Sequence, residues 1–363
     1  MGHLILQGDS TTFPGFSLLG ENSLAITLDD TGTDFFVLNF IVLSGTTSVS
    51  VAGTGAGGDA GLGQIAELNN TLTTVTLSGS VVMDLGSPFV SSNAGDFVVT
   101  DVAATATSPT KIASSLTLIN ASATTGEVEI LAGATNTSSD GDFDNGASLN
   151  ADVTITYTGL TIKGGSGLNL IENDATNGIV TDGNSTSDHI NLGGAGAKAT
   201  LGTGTGDSVS VGISTLGTPE AAGDCLGDTV TFGAPATAML FIRTGAEAGS
   251  TANTTSIGLT KVVDAAGGME IDFSNFSISS SSNIFDANIT AVTGAKTLTA
   301  AENAAVDAMA GAGVAFFNYK GSEYLIATNA TETAVSSGDA IVKLVGVVDL
   351  TATNASGVVT LHA

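Results

Sequence analysis

Gly223-Asp224-Cys225-Leu226-Gly227-Asp228-Thr229-Val230-Thr231-Phe232-Gly233 is the stretch on which the fold class turns. A Gly-Asp pair leads into β-branched and apolar residues and a second glycine closes the unit. The same order stands in Gly206-Asp207-Ser208-Val209-Ser210-Val211-Gly212, and a related one in Asp188-His189-Ile190-Asn191-Leu192-Gly193-Gly194. Glycine supplies the positive φ that a sharp corner needs, and aspartate bonds the turn backbone. The β-branched residues between them suit short strands with one face inward. This pattern predicts a β-roll or β-solenoid across residues 164–283, with ordinary Gly-Asp turns between strands as the alternative.

Working toward the N-terminus, residues 1–163 repeat a rhythm of five to eight β-favouring residues broken by Gly, Asn, Asp or Ser. Ser23-Leu24-Ala25-Ile26-Thr27-Leu28, Thr71-Leu72-Thr73-Thr74-Val75-Thr76-Leu77 and Glu127-Val128-Glu129-Ile130-Leu131 are examples. Several alternate apolar with Thr or Ser, as strands with one wet face do. A β-sandwich and a β-solenoid both produce such a pattern, and the lack of a fixed-period repeat counts against the solenoid. The expected class is therefore all-β, with solenoid- or roll-like and sandwich-like strands and one short C-terminal helix. That helix is placed from the capping-box spacing of Thr299-Ala300-Ala301-Glu302 to Ala310, with Leu298, Ala305, Val306 and Met309 on its buried face.

Thirty-five acidic residues against eight Lys and Arg give the 363-residue chain a net charge of −27. Such a chain is repelled by nucleic-acid phosphates and by anionic membrane surfaces, so neither is an expected partner. Salt bridges cannot neutralise this surface, whereas Ca²⁺ suits oxygen donors from Asp, Asn and backbone carbonyls. Carboxylates that merely keep a secreted protein soluble are the plainer account. Cys225 is the single cysteine, so no internal disulfide is possible. The apolar run from Phe35 to Leu43 is too short to span a bilayer and reads as a buried strand. No positively led apolar segment with a small-residue cleavage site opens the chain, so a classical signal peptide is not expected.

The last part, residues 284–363, is different in kind. Phe316-Phe317-Asn318-Tyr319-Lys320-Gly321-Ser322-Glu323-Tyr324-Leu325-Ile326 reads as an aromatic hairpin around Lys-Gly, and Gly338-Asp339-Ala340-Ile341-Val342-Lys343-Leu344 as a strand opened by Gly-Asp. This module resembles the C-terminal part of calcium-dependent repeats-in-toxin (RTX) proteins exported by type I secretion, and most closely their surface-layer (S-layer) members. Residues 186–234 are more weakly similar to the RTX roll, whose nonapeptide sets Asp and turn carbonyls around Ca²⁺. Lys198 stands where that pattern wants Asp, and Asp207 is one residue out of register. The resemblance implies a degenerate roll that keeps some calcium turns, with Asp188, Asp207, Asp224 and Asp228 as ligands. Outside the roll, Asp140-Gly141-Asp142-Phe143-Asp144-Asn145-Gly146 has three carboxylates at alternate positions, as at the start of an EF-hand loop. Asp140, Asp142 and Asp144 are thus further candidate Ca²⁺ ligands, although Ala151 stands where such a loop ends in Glu.

Catalytic signals are poor. The three histidines, His3, His189 and His362, form no His-Glu-x-x-His zinc motif, and there is neither a Gly-x-Ser-x-Gly elbow nor a phosphate-binding Gly-Lys-Ser/Thr loop. The expected function is a structural one, without enzymatic activity. The resemblance implies a secreted, self-assembling, calcium-dependent lattice on a bacterial cell surface, possible partners being further copies of the chain and cell-surface polysaccharide. An adhesin or biofilm-matrix module and a β-solenoid polysaccharide-degrading enzyme are the alternatives.

Overall fold

The computed structural model describes residues 2–8, 12–13, 16–31, 36–55, 59–67, 70–85, 98–99, 110–132, 153–211, 227–242, 259–276, 278, 285–287, 289–309, 311–328, 331–336, 339–345, 354–355 and 357–362. The chain divides into two compact units, Met1–Ser185 and Thr186–Ala363.

The first unit is a parallel β-solenoid in which each coil places one strand in each of two sheets. In one sheet, Gly2–Gly8, Ser23–Asp30, Ser48–Gly55, Thr74–Gly79, Leu118–Thr124, Thr161–Lys163 and Ile179–Thr181 lie side by side, every pairing parallel. In the other, Phe36–Ser44, Asp59–Glu67, Val82–Leu85, Val128–Ala132 and Asn169–Asn173 do the same. Parallel pairing throughout these two sheets resolves the choice between sandwich and solenoid that the sequence leaves open.

Register explains how the coils hold. Leu24, Val49, Val75, Ile119, Ile162 and Val180 stand opposite one another in succession, and all are buried. Leu38, Leu62, Leu85, Ile130 and Ile171 make the matching inner row of the second sheet. Each such side chain contributes about 1.5–3 kcal/mol on leaving water, and a row repeats that gain coil after coil. The intervening residues face outward and in the middle strands are Ser, Thr or Ala, as in Ser23, Ala25 and Thr27 or Ser48, Ser50 and Ala52, while Leu118, Asn120, Lys163 and Ile179 continue the same rows. That alternation is the sequence rhythm of residues 1–163.

The coils differ greatly in length. Ser23 lies opposite Ser48 and Ser48 opposite Thr74, which makes coils of 25 and 26 residues. Thr74 then lies opposite Leu118, a step of 44, whereas Thr161 lies opposite Ile179, a step of 18. Only strands and corners are held constant, so no fixed period reaches the sequence.

The second unit repeats the parallel arrangement with shorter strands. His189–Leu192, Ser208–Val211, Met239–Ile242 and Glu270–Asp272 form one sheet. Lys198–Thr200, Thr229–Thr231, Thr260–Val263 and Ala340–Val345 form the other. Ile190, Val209, Leu240 and Ile271 make one buried inner row, and Ala199, Val230, Val262 and Leu344 the other.

Pairing changes to antiparallel in the C-terminal part. Ala340–Val345 pairs with Ser322–Thr328, which pairs in turn with Gly313–Tyr319. Tyr319 lies opposite Ser322, so Lys320 and Gly321 are a two-residue turn; their φ values of 50° and 77° are those of a type I′ hairpin. Helix α1 (Thr290–Thr293) and helix α2 (Leu298–Met309) pack on this hairpin. Leu298, Ala301, Ala305 and Val306 of α2 share a core with Phe317, Tyr319, Tyr324, Ile326 and Ile341. The single-helix expectation thus holds for α2, with α1 as one extra turn.

The cap of α2 differs from the expectation. Thr297 Oγ1 accepts the Ala300 N–H at 3.2 Å and the Thr297 carbonyl accepts that of Ala301, so the capping residue lies two residues before Thr299 and the helix starts at Leu298. Glu302 therefore does not reach back to the helix start and is buried instead. No helix among the described residues is long and apolar enough to cross a membrane.

Candidate functional site

Three of the seven candidate aspartates, Asp188, Asp207 and Asp228, are described, and all three are buried. Each follows a residue in the left-handed region, Ser187 at φ 64°, Gly206 at 79° and Gly227 at 90°. Each is followed directly by a strand, at His189, Ser208 and Thr229. The Gly-Asp signal in the sequence is thus a corner device: a left-handed residue turns the chain, and aspartate fills the inside of the turn.

The carboxylates bind backbone from coil to coil. Asp207 Oδ1 accepts the N–H of Asp188, one coil back, at 3.2 Å. On the other sheet, Asp228 Oδ1 accepts the N–H of Ala197, which immediately precedes the Lys198 strand, at 2.8 Å. The carbonyls of these corner residues serve the following coil, with Ser208 N–H donating to Asp188, Met239 to Asp207 and Lys261 to Asp228. Ring and hydroxyl also meet here, His189 Nδ1 lying 2.6 Å from Ser208 Oγ. His189 is tied into the coil stack by this contact.

Electrostatics at the Asp188/Asp207 corner run against an ionised Asp207. Burial pushes the Asp207 carboxyl above its usual range; the backbone N–H of Asp188 draws it down, the Asp188 charge raises it again, and the N–H of Ser187 and nearby His189 lower it. Adjacent acidic groups in low dielectric repel, and a cation relieves that repulsion. Asp339, the Gly-Asp residue before the Ala340 strand, shows a similar pattern. It is buried, its Oδ2 accepts the Ser336 N–H at 2.7 Å, and burial above all raises its pKa.

Oxygen donors of this kind, two neighbouring carboxylates, the Ser208 hydroxyl and corner carbonyls, match the hard-cation preference of Ca²⁺. Among the described residues, no group of three or more His, Cys, Asp and Glu side chains gathers where it could hold a metal ion. Carbonyl and hydroxyl oxygens would therefore have to complete any calcium shell at these corners. Asp140, Asp142, Asp144 and Asp224 lie outside the described residues.

A second acidic stretch, Asp29-Asp30-Thr31-Gly32-Thr33-Asp34, begins within the strand Ser23–Asp30. Asp29 accepts the Gln7 amide through Oδ2 at 2.7 Å and the Thr54 hydroxyl through Oδ1 at 3.2 Å, linking three strands on an outer face.

Glu302 is the functional-looking residue that pattern reasoning misses. It is buried at 1% exposure with Oε1 lacking a hydrogen-bond partner, and burial pushes its pKa up to about 7. Its charge also raises the pKa of Tyr324, after burial of the ring itself. Nothing in the local sequence separates it from an exposed helix glutamate. No protein-family model matches the chain, and a search of curated proteins finds no match either.

Proposed function

We propose that this chain is a secreted structural protein of a calcium-dependent bacterial surface layer, assembling with copies of itself and having no enzymatic role. The observation that carries the reading is the repeated left-handed-residue/Asp corner of the second unit. There, His189, Lys198 and Ser208 open successive strands, so half-coils span nine and ten residues, close to the nonapeptide of an RTX roll. The aromatic hairpin, its helix and the Gly-Asp-led strand support a C-terminal module of the type I exported class.

In this reading Asp188, Asp207 and Asp228, with corner carbonyls, hold Ca²⁺, and Asp224 and the Asp140, Asp142, Asp144 loop add further sites. Calcium supplies positive charge between carboxylates that repel one another. Because it binds the folded corners and not the extended chain, it favours folding by mass action, and low calcium inside the cell delays folding until export. The outward Ser and Thr rows of the first unit leave a broad polar surface, which suits packing among copies better than turnover of a substrate.

Titrating the purified chain with calcium, with circular dichroism and light scattering as readouts, tests the proposal. Gain of strand signal and growth of large ordered assemblies with calcium, reversed by EDTA and not reproduced by magnesium, is the expected result. A folded monomer indifferent to EDTA would remove the calcium lattice and leave the adhesin reading in its place.

A further inference from the structure

The chain has only eight Lys and Arg residues, and three of them fall in a single row of the second unit. Lys198 lies opposite Thr229, Thr229 opposite Lys261, and Lys261 opposite Lys343. Their neighbours along each strand, Ala199, Val230, Val262 and Leu344, are buried, so the row itself faces outward. One end of the row meets Tyr324, opposite Lys343, whose Nζ sits 5.9 Å from the ring centroid. Lys198 is exposed, and Lys261 and Lys343 are half-exposed.

Parallel strands fix the spacing. With neighbouring strands about 4.8 Å apart, the Lys198 and Lys261 backbones are separated by about 10 Å and those of Lys261 and Lys343 by about 5 Å. Thr229 fills the gap between the first two lysines, and the next outward row runs Thr200-Thr231-Val263-Val345, with hydroxyls at the Lys198 end and valines at the Lys343 end. Three lysines in one row, with Thr229 between two of them and the helix-covered core of Leu259, Ile341 and Tyr324 along one side, match a linear polymer that carries carboxylates and sugar hydroxyls.

We infer that the Lys198-Thr229-Lys261-Lys343 row is a docking surface for an acidic polysaccharide of the polyuronate class. Charge complementarity selects the occupant. The net charge of −27 repels any polyanion at long range, and at physiological salt screening confines this to about 8 Å. A polyuronate, with at most one carboxylate per sugar, can engage the row without bringing excess charge. Nucleic acid carries one charge per about 1.7 Å of duplex and brings far more than three lysines offset. The inference rests on the cell-surface placement proposed above, but on neither calcium nor lattice formation.

Titration calorimetry of the full chain with an oligogalacturonate too short to gel, at one fixed calcium concentration, provides the test. Wild type should bind with an affinity that falls as salt rises, and should ignore a neutral galactan. Lys198→Gln/Lys261→Gln/Lys343→Gln should bind about tenfold or more weakly, while Lys111→Gln/Lys296→Gln/Lys320→Gln, with the same loss of charge elsewhere, should bind within about twofold of wild type. Circular dichroism of each variant verifies its fold. Equal losses in both variants, equal binding of the galactan, tighter binding of inorganic polyphosphate, or no binding by wild type would each overturn the inference. Calcium-driven light scattering on the same samples separates the two readings. A wild-type chain that assembles but does not bind the oligogalacturonate defeats the docking surface alone.

Discussion

The two units solve the same corner problem with opposite chemistry. In the first, the residue before a strand is threonine at Thr47, Thr73 and Thr117, all exposed. Backbone N–H and side-chain hydroxyl of each donate to a single carbonyl one coil back, Thr47 to Asn22, Thr73 to Thr47 and Thr117 to Thr73, at 2.9–3.1 Å. In the second unit that position holds buried Asp188, Asp207 and Asp228, and the carboxylates of Asp207 and Asp228 accept N–H groups from the coil before. The threonine corner duplicates a bond the backbone already makes. The aspartate corner supplies a backbone N–H with a side-chain acceptor, and that acceptor is an ionisable group. Corners of the first kind are uncharged and cheap to alter, whereas those of the second kind place an ionisable group inside the turn.

The largest effect is expected where neither chemistry applies and shape alone decides. Gly79 closes a strand of the first unit at φ 124°, and a Cβ there would overlap the Gly53 carbonyl. Gly79→Ala should cost several kcal/mol, about 3 or more, because backbone has to move and the left-handed residue is strained as well. Denaturant unfolding followed by circular dichroism measures it; a loss below about 1 kcal/mol would mean that corner spacing is not rigid.

Next comes the charge buried in the second unit. Glu302 has a folded-state pKa of about 7 against an ordinary 4.5. The folded state therefore holds its proton more tightly than the unfolded chain, and stability falls as pH rises from 4.5 through 7. Glu302→Gln should stabilise the protein by on the order of 3 kcal/mol at pH 8 and by almost nothing at pH 4.5. Thermal unfolding of both proteins at the two pH values reads the difference, and an equal shift at both would show that ionisation is not the cause.

Asp228→Ala strands the Ala197 N–H inside the corner and should cost about 1–3 kcal/mol. Asp228→Asn sharpens the comparison, since the amide oxygen keeps the hydrogen bond but loses the charge. With EDTA present the Asn variant should stay close to wild type, and with calcium it should fall behind, if the carboxylate is a ligand. The smallest change is Thr73→Val, expected to cost a few tenths of a kcal/mol, about 0.5 at most, because the hydroxyl is exposed and the backbone bond survives. A loss as large as that of Asp228→Ala would erase the contrast between the two corners.

How far the sequence discloses this architecture depends on the range over which each signal acts. The Gly-Asp corners, the Lys320-Gly321 hairpin and helix α2 are local devices, and they are legible because a few adjacent residues make each one. The solenoid of residues 1–163 is obscured because strand-to-strand steps are as unlike as 22 and 44 residues while the inner rows remain in register. The Thr299 capping box fails for a related reason: Thr297 fits the same role two residues earlier, and burial of Glu302 against the hairpin decides between them. The lysine row is invisible in one dimension, since Lys198, Lys261 and Lys343 are neighbours only through strand register.

Unequal coils have an evolutionary consequence. Inner rows such as Leu24-Val49-Val75-Ile119-Ile162-Val180 tolerate connecting segments of very different length without losing a contact. Each doubling of such a segment costs only about 0.6 kcal/mol of closure entropy. Insertions and deletions in the connecting segments are therefore nearly neutral, so length change can remodel the surface while strands, corners and hydrophobic spine stay fixed.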